Sequence, residues 1–232
     1  MYAVNLHTIS KNYTLDAVQV PALHDISLSL HAHQFTVLSG PSGSGKTSLL
    51  NLIGGLDQDY QGKLEVAGQD LKHLNDDQLS DFRNRHIGFI FQHFNLIPVL
   101  SAYENIEYPL ILAKVAAAER QARVWQLLEQ VGLTERANNL PGQLSGGQRQ
   151  RVAIARALAL TPKLVLADEP TANLDSKTAN DIIALMRDLQ KSHQLSFIFS
   201  SHDPIVLAAA DHVVYLRDGQ VVNAVAQPGV VS

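Results

Sequence analysis

Gly40-Pro41-Ser42-Gly43-Ser44-Gly45-Lys46-Thr47 follows the β-branched and apolar run Phe35–Ser39 and leads into Ser48-Leu49-Leu50-Asn51-Leu52-Ile53. The octet fits G-x-x-x-x-G-K-[ST], and a strand before it with a helix after it is the context that this motif requires. Glycines let successive backbone N–H groups turn toward a β-phosphate, and the N-terminus of the helix adds its dipole. Lys46 brings a point charge to the β and γ oxygens, and Thr47 offers a hydroxyl to Mg²⁺. Pro41, Ser42, Ser44 and Ser48 belong to the same cradle. A glycine-rich surface turn would account for the glycines but for neither the lysine nor the flanking elements. The segment reads as a nucleotide site.

A second segment supplies the chemistry that a phosphate cradle lacks. Leu164-Val165-Leu166-Ala167 reads as a buried strand, and Asp168-Glu169-Pro170 ends it. Carboxylates at the C-terminal edge of a core strand lie where doubly wound sheets bind ligands. Asp168 is expected to anchor the metal through a water, and Glu169 to polarise the attacking water. Alone, the two acids could simply open a surface loop; the phosphate loop decides against that.

The rest of the chain fits one α/β domain. At 232 residues, with 46% hydrophobic side chains, it can bury a sizeable core. Strands are expected at Phe35–Ser39, 87–91, 164–167, 197–199 and 213–216, alternating with helical stretches, which predicts a mainly parallel sheet covered by helices. Alternation between Gly62 and Gly68 predicts a β-hairpin. Val124, Leu127, Leu128 and Val131 share a helix face that ends at Gly132, and Ala179, Ile182, Ile183 and Met186 share another after Asp175. The net charge of −4 argues against an electrostatic nucleic-acid binder. Cysteine is absent, and neither a signal peptide nor a membrane-length apolar run is evident, so a soluble protein is expected.

Leu144-Ser145-Gly146-Gly147-Gln148 opens a helix expected over 149–160, stopped by Thr161-Pro162. Ser145 is a natural N-cap, and the two glycines expose backbone N–H groups at the positive end of a helix. A structural cap would need only the serine. In this feature the sequence resembles the ATP-binding subunits of ABC transporters, whose signature is L-S-G-G-Q. The resemblance runs from residue 13 to about residue 219, and other markers occur in family order. Gln92 stands after the strand at 87–91, Asn173-Leu174-Asp175 follows the acidic pair, and His202 follows the strand at 197–199. Tyr13 aligns with the aromatic residue that stacks on adenine.

The resemblance implies a P-loop NTPase (RecA-like) α/β core with an antiparallel β subdomain and an inserted α-helical subdomain at roughly 93–162. Residues 1–232 would form a single nucleotide-binding domain. It implies ATP and Mg²⁺, with Thr47, Gln92 and Asp168 toward the metal. Lys46, Glu169, Gln92 and His202 would be catalytic, His202 contacting the γ-phosphate and orienting Glu169. A histidine or glutamine at a strand end has many uses by itself; family order assigns these two. It further implies a head-to-tail dimer in which Gly40, Gly43, Gly45 and their neighbours grip ATP from one subunit. Ser145, Gly146, Gly147, Gln148 and Asp175 would approach from the other. Integral membrane permease subunits would be the remaining partners, at the cytoplasmic face of the inner membrane, with Phe94, Leu96, Ile97, Val99 and Leu100 as a candidate docking cluster.

Asn51-Leu52-Ile53-Gly54-Gly55-Leu56-Asp57 and residues 88–98 resemble the MacB, LolD and FtsE branch. That branch implies lipoprotein release or drug and peptide export, or alternatively regulation of a division-type membrane partner without transport. Ala172, Ser200-Ser201 and His33-Gln34 depart from the usual pattern without removing a catalytic group. Ribosome-associated relatives resemble tandem duplications, and chromosome ATPases insert coiled coils before the signature. Neither feature occurs here.

Overall fold

The computed structural model describes residues 1–15 and 18–226. The chain opens on two long strands, β1 (Tyr2–Leu15) and β2 (Val18–His31), then β3 (Phe35–Ser39) and α1 (Lys46–Ile53). β4 (Gln61–Val66), β5 (Gln69–Asp70), α2 (Asp76–His86) and β6 (Ile87–Ile90) come next. α3 (Ala102–Leu112), α4 (Ala117–Gln130) and α5 (Gly146–Ala157) precede β7 (Leu164–Asp168), α6 (Ser176–His193) and β8 (Ser196–Ser200). A short α7 (Pro204–Ala208), β9 (His212–Arg217) and β10 (Gln220–Ala226) end the described chain.

The strands sort into two sheets, one in the order β2-β1-β4-β5 and one in the order β10-β9-β3-β8-β7-β6. The second is parallel from β9 to β6, with β10 antiparallel at its edge. The period of two in its central strands explains its position. Phe35, Val37, Val165, Ala167, Phe197, Phe199 and Val213 face one core, shared with α3, α4, α5 and α6. Leu38, Leu164, Leu166, Ile198 and Val214 face a second, shared with α1 and the antiparallel sheet. Strands buried on both faces read as continuous apolar runs, which is why these five were evident in the sequence.

Local signals set the helix ends. Gly132, at φ +68°, continues the chain past α4 in the left-handed region. Ser145 starts α5 three residues earlier than the expected 149, through a capping box with Gln148. The helix also stops earlier, at Ala157, because Arg123 takes the carbonyls of Leu158 and Ala159 at 2.8 and 3.3 Å. The hairpin forms on Ala67 and Gly68, both at positive φ as a two-residue turn demands. Most of β4 nevertheless pairs with β1, from Val4↔Val66 to Ser10↔Gln61.

Candidate active site

β3 ends at the bottom of a loop in which two glycines, Gly40 and Gly45, are sterically required. A Cβ on Gly40 would lie 2.1 Å from the Leu216 carbonyl oxygen, and one on Gly45 would lie 2.7 Å from that of Ala22. Gly45 caps α1 in the left-handed region and makes no side-chain cap bond, so the first-turn N–H groups are free of protein side chains. Lys46 curls back over the loop and donates to the Gly40 and Pro41 carbonyls at 2.7 and 2.9 Å. Its ammonium is thereby held at the loop mouth. Ser44 turns inward: its side chain is buried, and its carbonyl accepts from Gly219 N at 3.2 Å.

The parallel register of β7 and β8 sets the acidic side of the site. Asp168 pairs with Ser200 across the sheet, and its carboxylate accepts from the Thr47 hydroxyl at 3.5 Å. Glu169 sits at φ +44°, with its N–H on the Ser200 carbonyl at 2.9 Å. That left-handed turn sends its carboxylate toward the end of β8. There His202 Nδ1 lies 3.0 Å from Glu169 Oε1, and the Ser201 hydroxyl donates to Oε2 at 3.4 Å. The His202 ring is largely exposed, while Glu169 is only 19% exposed.

The phosphate loop, Lys46, Thr47, Asp168, Glu169 and His202 line one cavity of about 780 Å³, together with Tyr13, Pro21, Ala22, Ser48 and Gln92. The Tyr13 hydroxyl donates to Ser48 Oγ at 3.3 Å, and the Lys11 ammonium lies 4.9 Å from the ring centroid. Lys11 is itself fixed by Asp57 and Asp59 at 3.0 and 3.1 Å. Burial lowers its pKa, but the two carboxylates outweigh that and hold it above its ordinary value. Gln92 is steadied through its carbonyl, which accepts from Asn173 Nδ2 at 2.8 Å. Thr47, Asp168, Glu169 and Gln92 offer oxygen donors only, the set that a hard cation such as Mg²⁺ takes.

Residues 145–148 and Asp175 lie outside this cavity and form a second group. Ser145 accepts from Gln148 N at 3.2 Å, and Asp175 caps α6 by accepting from Thr178 N at 3.0 Å and the Thr178 hydroxyl at 2.6 Å. The hydroxyl bond, followed by the N–H, holds the Asp175 carboxyl below its ordinary range. The glycines also have a reason inside the chain. A Cβ on Gly147 would lie 2.5 Å from Thr178 Cγ2, and one on Gly146 would lie 3.3 Å from Leu174. Sequence reasoning did not find Ser201, Thr171 or Lys11; single polar residues carry no periodic or motif signal. Phe94, expected in the docking cluster, is buried against the Arg149 guanidinium, whereas Val99 is 78% exposed.

The profile of the ABC transporter family matches residues 23–172. The ABC transporter ATP-binding protein YvrO of Bacillus subtilis is 45% identical over 219 residues, 94% of this chain and 95% of that protein. The lipoprotein-releasing system ATP-binding protein LolD of Anaeromyxobacter dehalogenans is 46% identical over 220 residues, 94% and 92% of the two chains. The macrolide export ATP-binding/permease protein MacB of Rhodopirellula baltica is 44% identical over 97% of this chain, which spans only 33% of that longer protein. Among solved structures, a dimeric ATP-binding cassette in a post-hydrolysis state with ADP and Pi superposes with a TM-score of 0.89. It is 40% identical, with 97% of this chain and 99% of that one covered.

Proposed function

The chain belongs to the ABC transporter family as one of its ATP-binding, ATP-hydrolysing cassettes, and we propose that it drives a membrane permease of the LolD or MacB type. The carrying observation is the meeting of the phosphate loop, Asp168, Glu169 and His202 in one cavity, with Tyr13 beside Ser48. Tyr13 is the stacking surface for adenine, exposed by about a third. The free N–H groups at the start of α1 and the Lys46 ammonium take the β- and γ-phosphates. Thr47, Asp168 and Gln92 would hold Mg²⁺, which when bound neutralises phosphate charge. Glu169 accepts the proton of the attacking water as its oxygen bonds to the γ-phosphorus. The bond to the β–γ bridging oxygen breaks, leaving ADP and phosphate. His202 keeps Glu169 aligned and reaches the γ-phosphate from its exposed face.

Residues 145–148 lie outside the chain's own cavity, with Ser145 exposed, which supports their use by a second copy. Two-fold symmetry would then complete both sites at once. Residues 1–232 work as a single nucleotide-binding domain, with 93–162 as its helical arm. No described helix is long and apolar enough to cross a membrane; the permease would be met at the cytoplasmic face of the inner membrane. A cavity of about 240 Å³ beside Phe91, Asn95 and Pro109 offers that subunit a receiving surface close to Gln92.

The decisive experiment is Glu169→Gln. Hydrolysis should fall by about 10²-fold or more with ATP binding retained, and a nucleotide-bound dimer should accumulate on a sizing column. Unchanged turnover would remove Glu169 as the base. For the membrane partner, Val99→Glu, at an exposed position between the smaller cavity and α3, should leave the basal ATPase and thermal stability intact while reducing co-purification with the LolD- or MacB-type permease; full retention would exclude Val99 from the contact.

A further inference from the structure

Glu169 and His202 are carried by different strand ends, β7 and β8, so their 3.0 Å contact depends on how two loops are held together. We propose that Thr171 and Asp203 are positioning residues that clamp these loops and set the Glu169–His202 geometry; this rests on Glu169 acting as the base. Thr171 is buried, and its hydroxyl donates to Asp203 Oδ2 at 2.9 Å. The other carboxylate oxygen accepts from Ile205 N at 2.9 Å, at the start of α7. Asp203 N in turn donates to Ser201 Oγ at 3.1 Å, and that hydroxyl donates to Glu169 Oε2 at 3.4 Å. The polarity is consistent, because a hydroxyl spending its single proton on Glu169 still has lone pairs to accept with.

The clamp closes a ring around the pair. Below it, Glu169 N binds the Ser200 carbonyl and Ser201 N binds the Leu38 carbonyl, which ties both loops to the sheet. Above it, Thr171 and Asp203 join the same loops through side chains. Glu169 at φ +44° occupies a region that non-glycine residues hold only where the surroundings fix them. Neither Thr171 nor Asp203 lines the cavity, so their effect on hydrolysis passes through Glu169 and His202.

The test is steady-state ATP hydrolysis and thermal unfolding of the full chain as Thr171→Val, Thr171→Ser, Asp203→Asn and Glu169→Gln. Valine keeps the shape and removes the hydroxyl. It should lower kcat by about 10- to 100-fold, the usual worth of a contact that orients a reacting group, with KM for ATP within about twofold. Serine should restore kcat. Asp203→Asn, left with one acceptor oxygen for two donors, should also lower kcat, and it carries the test if the valine variant fails to fold. Wild-type kcat in Thr171→Val or Asp203→Asn beside an inactive Glu169→Gln would overturn the clamp alone. So would a loss that serine does not rescue, or one that follows KM and the melting temperature. An active Glu169→Gln would overturn the base reading instead.

Discussion

Gly43 differs from Gly40 and Gly45 in its surroundings, although all three have positive φ. A Cβ on Gly43 meets nothing within 4 Å, whereas one on Gly45 strikes both the Ala22 carbonyl and the Leu23 side chain. Gly43→Ala should therefore cost only the left-handed strain of about 1–2 kcal/mol, with nucleotide binding measurable in the folded variant. Gly45→Ala must in addition move β2 away from the loop, and should lose ATP binding together with several degrees of melting temperature. Equal effects in titration and thermal unfolding would contradict this difference. Residues of this kind were legible because the backbone leaves them no alternative: Gly45, Lys46 and Thr47 follow from the shape of a phosphate. Thr171 and Ser201 were not, because each acts through a partner that only the fold brings near.

α5 shows how much of an element a sequence fixes. Its N-cap was visible in Ser145, although the helix was expected only from 149, and its end depends on Arg123, which arrives from α4. β1 and β2 were harder still. In β1 the buried Val4, Leu6, Ile9 and Lys11 step by two, three and two, and in β2 the buried Leu23, Ile26 and Leu30 step by three and four, a spacing that imitates a helix. Bulges between Leu6 and Ile9 and between Ile9 and Lys11 shift the register and break the period of two. β10 gave no signal because it is almost wholly exposed. The cap of α5 separates local stability from assembly. Ser145→Ala should cost about 1 kcal/mol of stability. Ser145→Arg should leave ATP affinity of the single subunit nearly unchanged but prevent the ATP-dependent dimer. Normal hydrolysis in Ser145→Arg would refute the shared site.

At the scale of the molecule, the parallel sheet has two ends of different character. The C-terminal ends of β3, β7 and β8 meet the nucleotide cavity. Near the opposite ends lie His86, His193 and His212, each with one buried ring nitrogen lacking a partner. Burial, and then nearby cationic groups, depresses all three below their ordinary 6.5. The unfolded chain therefore binds more protons than the native one once the pH drops below about 6.5, so stability declines from there toward the depressed native values. Asp211 acts in another window. Burial pushes its carboxyl up, but Arg187 and the Phe35 N–H outweigh this and hold it below 3.8, so its contribution is lost only in stronger acid. The melting temperature should fall as the pH is lowered below about 6.5, and His212→Asn should flatten that slope; an unchanged slope in this and the matching His86 and His193 variants would refute the assignment. The two-faced strands have a further consequence, for the lengths this chain can tolerate. Because Val165 and Ala167 look one way and Leu164 and Leu166 the other, the sheet has a reading frame. One residue inserted within β7 would exchange the two sets between cores of different shape and turn Asp168 from Thr47. Variation in length is therefore confined to the connections, and β3, β7 and β8 act as rulers fixing how far the chemistry stands from the base of the sheet.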